Sequence, residues 1–307
     1  MMELFILYFL TAVLYGKCLL GLKLNMIIVI ATFMKWRSLK CLQAVDKILS
    51  SLAITRGLFF ITIFSWNCFF QFFPWLLKMN SLVSILSIQI VFTFFSTHWI
   101  AAILCVFYCV KIVTYNYKLF VFLKPRISTI IPRLIMASLV LSLILSLRFG
   151  FYGDDLKIQN VLNGSTENIT EYGLVPVPNF DEEFLIFVVG STPPFLIFCV
   201  ANFLLIHFLL IHTKRMGING SQSQSPNLDS HFRALKSMTL FLLLQIILVL
   251  CMSLSIFGRY FHLQYLPLIE HMLLCSSPFF HSLYIVSSSS DIRKISILRS
   301  LGIFKCF

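Results

Sequence analysis

Few side chains in this sequence could do chemistry, and those few stand in unusual places. Lys17, Lys23, Arg56, His98, Glu270 and His271 lie inside or at the edge of long apolar runs. A charge there costs a few kcal/mol on insertion scales, so each is a functional candidate by default. The patterns that hydrolytic or metal chemistry requires are missing. No pair of carboxylates is embedded in an apolar run, no GxSxG elbow occurs, and His207 and His212, five residues apart, fall on different faces of a helix. The nine cysteines show no zinc spacing; Cys105 and Cys109 have no second pair and read as small buried hydrophobes. The chain is therefore expected to be no enzyme and to carry no cofactor and no metal. An ion-driven pump needs a string of acids along a path, and no Asp or Glu lies deep in any run.

The elements that must position these groups follow from composition. Of 307 residues, 59% are hydrophobic and 12% charged, about half the charge of an ordinary soluble domain. Neither a soluble globule nor a disordered chain has this composition. Seven stretches are long enough to cross a bilayer, at about 4–34, 48–73, 82–113, 130–147, 184–211, 235–257 and 265–286. Residues 241–250 are almost wholly apolar, unlike the alternating strands of a membrane barrel. The expected fold is an all-α membrane protein, a single seven-transmembrane helix bundle over residues 1–307.

Orientation follows from the basic residues. The first connection holds Lys35, Arg37, Lys40 and Lys47; the third holds Lys111, Lys118, Lys124, Arg126 and Arg133. The fifth holds Lys214, Arg215, Arg233 and Lys236, and the tail of 287–307 holds Arg293, Lys294, Arg299 and Lys305. These are 17 of the 24 lysines and arginines, so this side is expected to be cytoplasmic, the tail included, and the N-terminus outside. The acidic connection 148–183 faces outward on this reading. It carries the sequons Asn163-Gly-Ser and Asn168-Ile-Thr, expected to be glycosylated, while Asn219-Gly-Ser on the basic side stays bare. The basic patches are short and scattered, so nucleic acid is not an expected partner; attraction to membrane lipid is.

Several motifs then run in order along the chain. Asp46-Lys-Ile-Leu leads into Leu52-Ala-Ile-Thr-Arg56. Trp99-Ile-Ala-Ala precedes Val106-Phe-Tyr-Cys-Val-Lys-Ile112, and Phe122-Leu-Lys-Pro-Arg-Ile127 follows. Pro194-Phe195, Leu204-Leu-Ile206 and His212-Thr-Lys-Arg-Met216 lie in and after the fifth span. His231-Phe-Arg-Ala-Leu-Lys236 opens the sixth, and Pro278-Phe-Phe-His-Ser282 lies in the seventh. Together these resemble the type 2 taste receptors, the bitter taste receptor family of G-protein-coupled receptors. Departures from that family's pattern are Leu24 before Asn25, Lys17 in the first span, Ile90 and Phe94 in place of Trp and Asn, Gln245 and Ser277 in place of Tyr, and Ser289 in place of Asn.

The resemblance implies a plasma-membrane receptor that binds small bitter molecules in an outward-facing pocket and activates a gustducin-like heterotrimeric G protein. Candidate ligand residues are Asn67, Gln71, Ile90, Phe94, Thr97, Glu270 and His271. Candidate coupling residues are Tyr108, Lys111, His212, Met216, His231 and Lys236. Asn25, Arg56, Trp99, Pro194, Pro278 and His281 are expected to be structural, with Arg56 bonded to backbone carbonyls or to Asn25. A pheromone-type or orphan seven-helix receptor shares the architecture, and a carrier or channel would act without a G protein.

Overall fold

In the computed structural model the described residues are 2–113, 118–162, 180–218, 236, 239–247 and 266–289. Both outer-loop sequons, Asn219, His231 and the tail beyond residue 289 lie outside them, as do the side chains of His212, Met216 and Glu270. Every long element is a helix: α1 (Met2–Leu39), α2 (Ala44–Phe72), α3 (Asn80–Ile112), α4 (Lys118–Leu162), α5 (Phe180–Ile218), α6 (239–247 in its described part) and α7 (Leu266–Ser288). A single 3₁₀ helix, Pro74–Lys78, joins α2 to α3, with proline at its first turn, where no backbone donor is needed. Among the described residues, five helices are long and apolar enough to cross a membrane: Phe5–Leu39, Ala44–Phe72, Asn80–Ile112, Val121–Arg148 and Leu185–Phe208.

What is buried and what is exposed are inverted relative to a water-soluble protein. Phe5, Phe9, Phe70, Ile85, Val121, Met136, Val200 and Phe203 point outward, whereas Asn25, Arg56, Thr93, Ser96, Ser142, Asn202, His281 and Ser282 are at most 1% exposed. Apolar side chains on the outside gain nothing in water, so this is the surface of a bundle dissolved in hydrocarbon. Hydroxyls along the helices follow the same logic. Thr11, Thr32, Thr62, Thr93, Ser142 and Ser191 each donate to the carbonyl four residues back, which satisfies a donor that no water can reach.

α3 is the central post, packed on α2, α4 and α5, while α1 packs on α2 and α7. One apolar cluster fills the space among α2, α3, α4, α5 and α6 through Ile48, Leu52, Ile100, Leu104, Phe107, Ile131, Phe198, Leu205 and Phe241. A second joins α1, α2 and α7 through Leu14, Cys18, Phe59, Phe60, Ile63, Leu274 and Cys275, with Ile90 and Phe94 of α3 against it. Two contacts require glycine. A Cβ on Gly21 would meet the buried Phe60 ring at 2.5 Å, and one on Gly190 would meet the Phe95 ring at 2.5 Å. At these positions the Phe60 ring of α2 lies directly on the α1 backbone and the Phe95 ring of α3 on the α5 backbone.

The helix ends differ from the sequence-based expectation most at α4. The segment from Lys118 to Thr129 was expected to be connection, yet it is the beginning of the helix, and the helix continues past Arg148 to Leu162. Pro125 and Pro132 are carried inside it, as Pro193, Pro194 and Pro278 are carried inside α5 and α7. Basic and proline-bearing residues read as loop in a hydropathy scan, but a helix that leaves the hydrocarbon needs no further apolar residues to stay wound. At the other end of α1, Asp46 accepts from Lys35 Nζ at 2.7 Å and from its own helix-start amide, Gln43 N–H, at 3.2 Å. The carboxylate thus caps α2, complements its dipole and fixes α1 to it.

Candidate functional site

Arg56 of α2 is 1% exposed and lies at the meeting point of four helices. Its Nη2 donates to His281 Nδ1 at 2.7 Å, and its Nη1 donates to Ser282 Oγ at 3.3 Å. Ser282 in turn donates to Asn25 Oδ1 at 3.0 Å, and Asn25 Nδ2 donates to the Gly21 carbonyl at 2.8 Å. The guanidinium also stands 5.5 Å from the centroid of the Phe241 ring, which itself packs against the His281 ring at 4.7 Å. Since arginine only donates, His281 Nδ1 must accept, which puts the imidazole hydrogen on Nε2. The link from Arg56 to Asn25 is therefore indirect, through Ser282. The expectation was bonding to backbone carbonyls or to Asn25; the bonds found go to the His281 ring and the Ser282 hydroxyl, and the hydroxyl passes the link on to Asn25.

Toward the other end, α2, α3, α6 and α7 form a narrow, partly open cavity lined by Phe59, Phe94, Thr97, His98, Phe241, Gln245, Leu274, Ser277 and Pro278. Its free space is about 20 Å³, room for about one water. His98, Phe241 and Gln245 also line a smaller neighbouring space against Pro194, Phe195 and Phe198 of α5. Three polar groups converge here. Ser277 Oγ donates to Gln245 Oε1 at 3.1 Å across α7 and α6, and His98 Nδ1 pairs with the Phe94 carbonyl at 2.7 Å. A carbonyl can only accept, so Nδ1 carries the hydrogen and Nε2 is left as an acceptor. The arrangement is an apolar, aromatic enclosure with a few fixed polar groups, which suits a small organic molecule rather than an ion.

The sequence-chosen ligand residues divide into three groups. Phe94 and Thr97 line the cavity, and Ile90 packs beside Phe94 in the adjoining cluster. Asn67 and His271 face one another from α2 and α7, with Nδ2 to Nδ1 at 3.2 Å, and Asn67 also donates to the Ile63 carbonyl. Gln71 is exposed and accepts from Tyr15 of α1 at 3.1 Å, apart from the cavity. Sequence reasoning did not choose His98, Gln245 and Ser277 as contacts. The available signal was that His98 is an ionisable group in an apolar run and that Gln245 and Ser277 both depart from tyrosine; the structure brings those two departures into contact.

Lys17 is another cation within a span. Its Nζ donates to Ser276 Oγ at 2.9 Å and to the Met272 carbonyl at 3.2 Å, which ties α1 to α7 beside the facing thiols of Cys18 and Cys275, 4.0 Å apart. At the opposite end of the bundle, Tyr108 is partly buried and Lys111 exposed at the close of α3, and Lys236 is exposed near α6. Trp99 belongs to α3, and its Nε1 is buried with no protein partner among the described residues.

Comparison with known proteins completes the picture. The family profile of the taste receptor protein (TAS2R) matches residues 1–301. Taste receptor type 2 member 9 of Homo sapiens is 28% identical over 298 residues, covering 95% of this chain and 93% of that protein. The same receptor of Pongo pygmaeus is 30% identical over 234 residues, 76% of this chain and 73% of its own length. Taste receptor type 2 member 3 of Gorilla gorilla gorilla is 25% identical over 285 residues, 91% of this chain and 89% of its own. A match along nearly the whole length, on a helical bundle with polar groups turned inward, leads to one conclusion: the chain belongs to the taste receptor protein (TAS2R) family, and is a bitter taste receptor of the G-protein-coupled class.

Proposed function

We propose that the chain crosses the plasma membrane seven times with its N-terminus outside, binds small bitter compounds among the outer halves of α2, α3, α6 and α7, and activates a gustducin-like heterotrimeric G protein. The observation that carries this reading is the enclosure of His98, Gln245 and Ser277 by aromatic rings between α3, α6 and α7. Asn67, Ile90, Phe94, Thr97, Glu270 and His271 complete the binding region, with Gln71 at its rim.

Drug-sized ligands occupy pockets of about 300 Å³ or more, far beyond the present free space. Agonist binding therefore requires α3, α6 and α7 to separate, and the work of opening lowers the apparent affinity. Of these helices, α6 and α7 meet Arg56 through Phe241 and His281, so opening at the cavity is felt at the brace below it. The response is read at the cytoplasmic ends, where Tyr108, Lys111, His212, Met216, His231 and Lys236 form the surface for a G-protein helix. Arg56, Asn25, His281, Trp99, Pro194 and Pro278 keep the frame in register.

Expression with a promiscuous G-protein α-subunit, followed by calcium imaging against a panel of bitter compounds, tests the proposal. A carrier or channel would move solute or current with no G protein present.

A further inference from the structure

The face of α4 that looks away from the bundle has an ordered composition. Ile127, Ile131, Ile135, Ser138, Ser142 and Ser146 are buried on its inner side. At 100° per residue, the opposite side carries Phe122, Arg126, Thr129, Arg133, Met136, Val140 and Ile144 at spacings of four and three. All of these are exposed, Met136 at 60%, Val140 at 52% and Ile144 at 55%. The stripe is cationic at one end and apolar at the other. Arg126 lays its guanidinium over the Phe122 ring at 4.1 Å, which holds the charge against the helix surface. Neither arginine is paired with a carboxylate of the described residues.

Depth adds a second argument. The apolar span Val121–Arg148 has 28 residues, about 42 Å of helix, against a hydrocarbon core of about 30 Å. With that excess of roughly 12 Å at the basic Val121 end, Arg126 lies among the lipid phosphates, and Arg133, about 10.5 Å further along the axis, lies just inside the hydrocarbon, close enough for its long side chain to snorkel to them. An arginine that faces lipid at this depth needs an anion, and guanidinium matches phosphate bidentately. Two such groups with the Thr129 hydroxyl between them present two anion positions; phosphatidylserine offers one phosphate and a carboxylate that carries an ammonium beside it, whereas a phosphoinositide offers two phosphates with no cation of its own.

We propose that this stripe is a lipid site for a phosphoinositide-class phospholipid. Its headgroup phosphates lie on Arg126 and Arg133 and its acyl chain lies along Met136, Val140 and Ile144. The site is separate from the ligand cavity, since α4 contributes no residue to that lining.

The test uses the full-length receptor in phosphatidylcholine nanodiscs containing equal small fractions of phosphatidylserine and phosphatidylinositol 4-phosphate, with native mass spectrometry counting the lipid retained after transfer to detergent. Retention of the phosphoinositide by the wild type should exceed that of phosphatidylserine, and should fall roughly tenfold or more in Arg126→Gln/Arg133→Gln, given about a tenfold effect for each one to two membrane-facing cations removed. Arg126→Lys/Arg133→Lys keeps the charges and controls for folding; it should retain more phosphoinositide than the glutamine variant. Soluble inositol bisphosphate at the same concentration should not displace the lipid. Equal retention by wild type and glutamine variant, equal retention of the two anionic lipids, or displacement by the soluble headgroup would each overturn the proposal.

Discussion

Arg56 shows how a buried cation is kept without a carboxylate among the described residues. Two neutral acceptors and an aromatic face share the charge across α1, α2, α6 and α7, and Ser282 is the only side chain in this chain of bonds that both accepts from Arg56 and donates to Asn25. Ser282→Ala breaks both links and leaves buried groups unpaired, at a cost of about 1–3 kcal/mol. The expected outcome is a lower unfolding temperature of the purified receptor, measured by thiol-reactive dye or light scattering; Ser282→Thr, which keeps the hydroxyl, should lose less. A second prediction concerns ligand response. Asn67 and His271 are bonded to one another, so Asn67→Ala and His271→Ala should each shift the agonist dose curve at unchanged surface expression. The double variant should shift less than the sum of the two, because either change alone removes the same contact. Additive shifts would show that the two act separately.

At the scale of elements, glycine decides where helices may touch. Gly21→Ala places a methyl group against the Phe60 ring and should cost about 1–3 kcal/mol through displaced packing. Gly21→Ala/Phe60→Leu should recover part of the loss, and a thermal unfolding series on the four proteins measures it. The long helices were readable in the sequence because apolar length alone marks them, and five of them among the described residues are long and apolar enough to cross a membrane. Residue type marked Arg56 as a buried charge in need of partners, with backbone carbonyls or Asn25 as the expected ones; His281, which accepts from it, was named only as a structural position of the resemblance. The sequence did not reveal which groups face one another, since a helix that is apolar all round has no polar face from which to read its rotation. Gln245 and Ser277 meet only once α6 and α7 are packed, and His98 joins them at one cavity only once α3 is packed beside both. The beginning of α4 was unreadable for a different reason: Lys118, Lys124, Pro125 and Arg126 have the composition of a connection, and only packing of Ile127 and Ile131 on α3 shows that they are wound.

For the molecule as a whole, the inverted distribution of polar and apolar side chains commits it to a membrane, and the proposed orientation has a separate test. Asn163→Gln and Asn168→Gln should each raise gel mobility if both sequons carry glycan, and Asn219→Gln should change nothing; a glycan at 219 would reverse the topology. The central claim is that occupancy of the cavity among α3, α6 and α7 is reported to a G protein at the opposite end. The most direct measurement is intracellular calcium in cells that express the receptor at the surface, with and without a promiscuous G-protein α-subunit, exposed to a bitter-compound panel. The account predicts transients with at least one compound that require both the receptor and the α-subunit, and that shrink in Gln245→Ala. Transients that persist without the α-subunit, or that are untouched by Gln245→Ala and Thr97→Ala at equal surface expression, would contradict it.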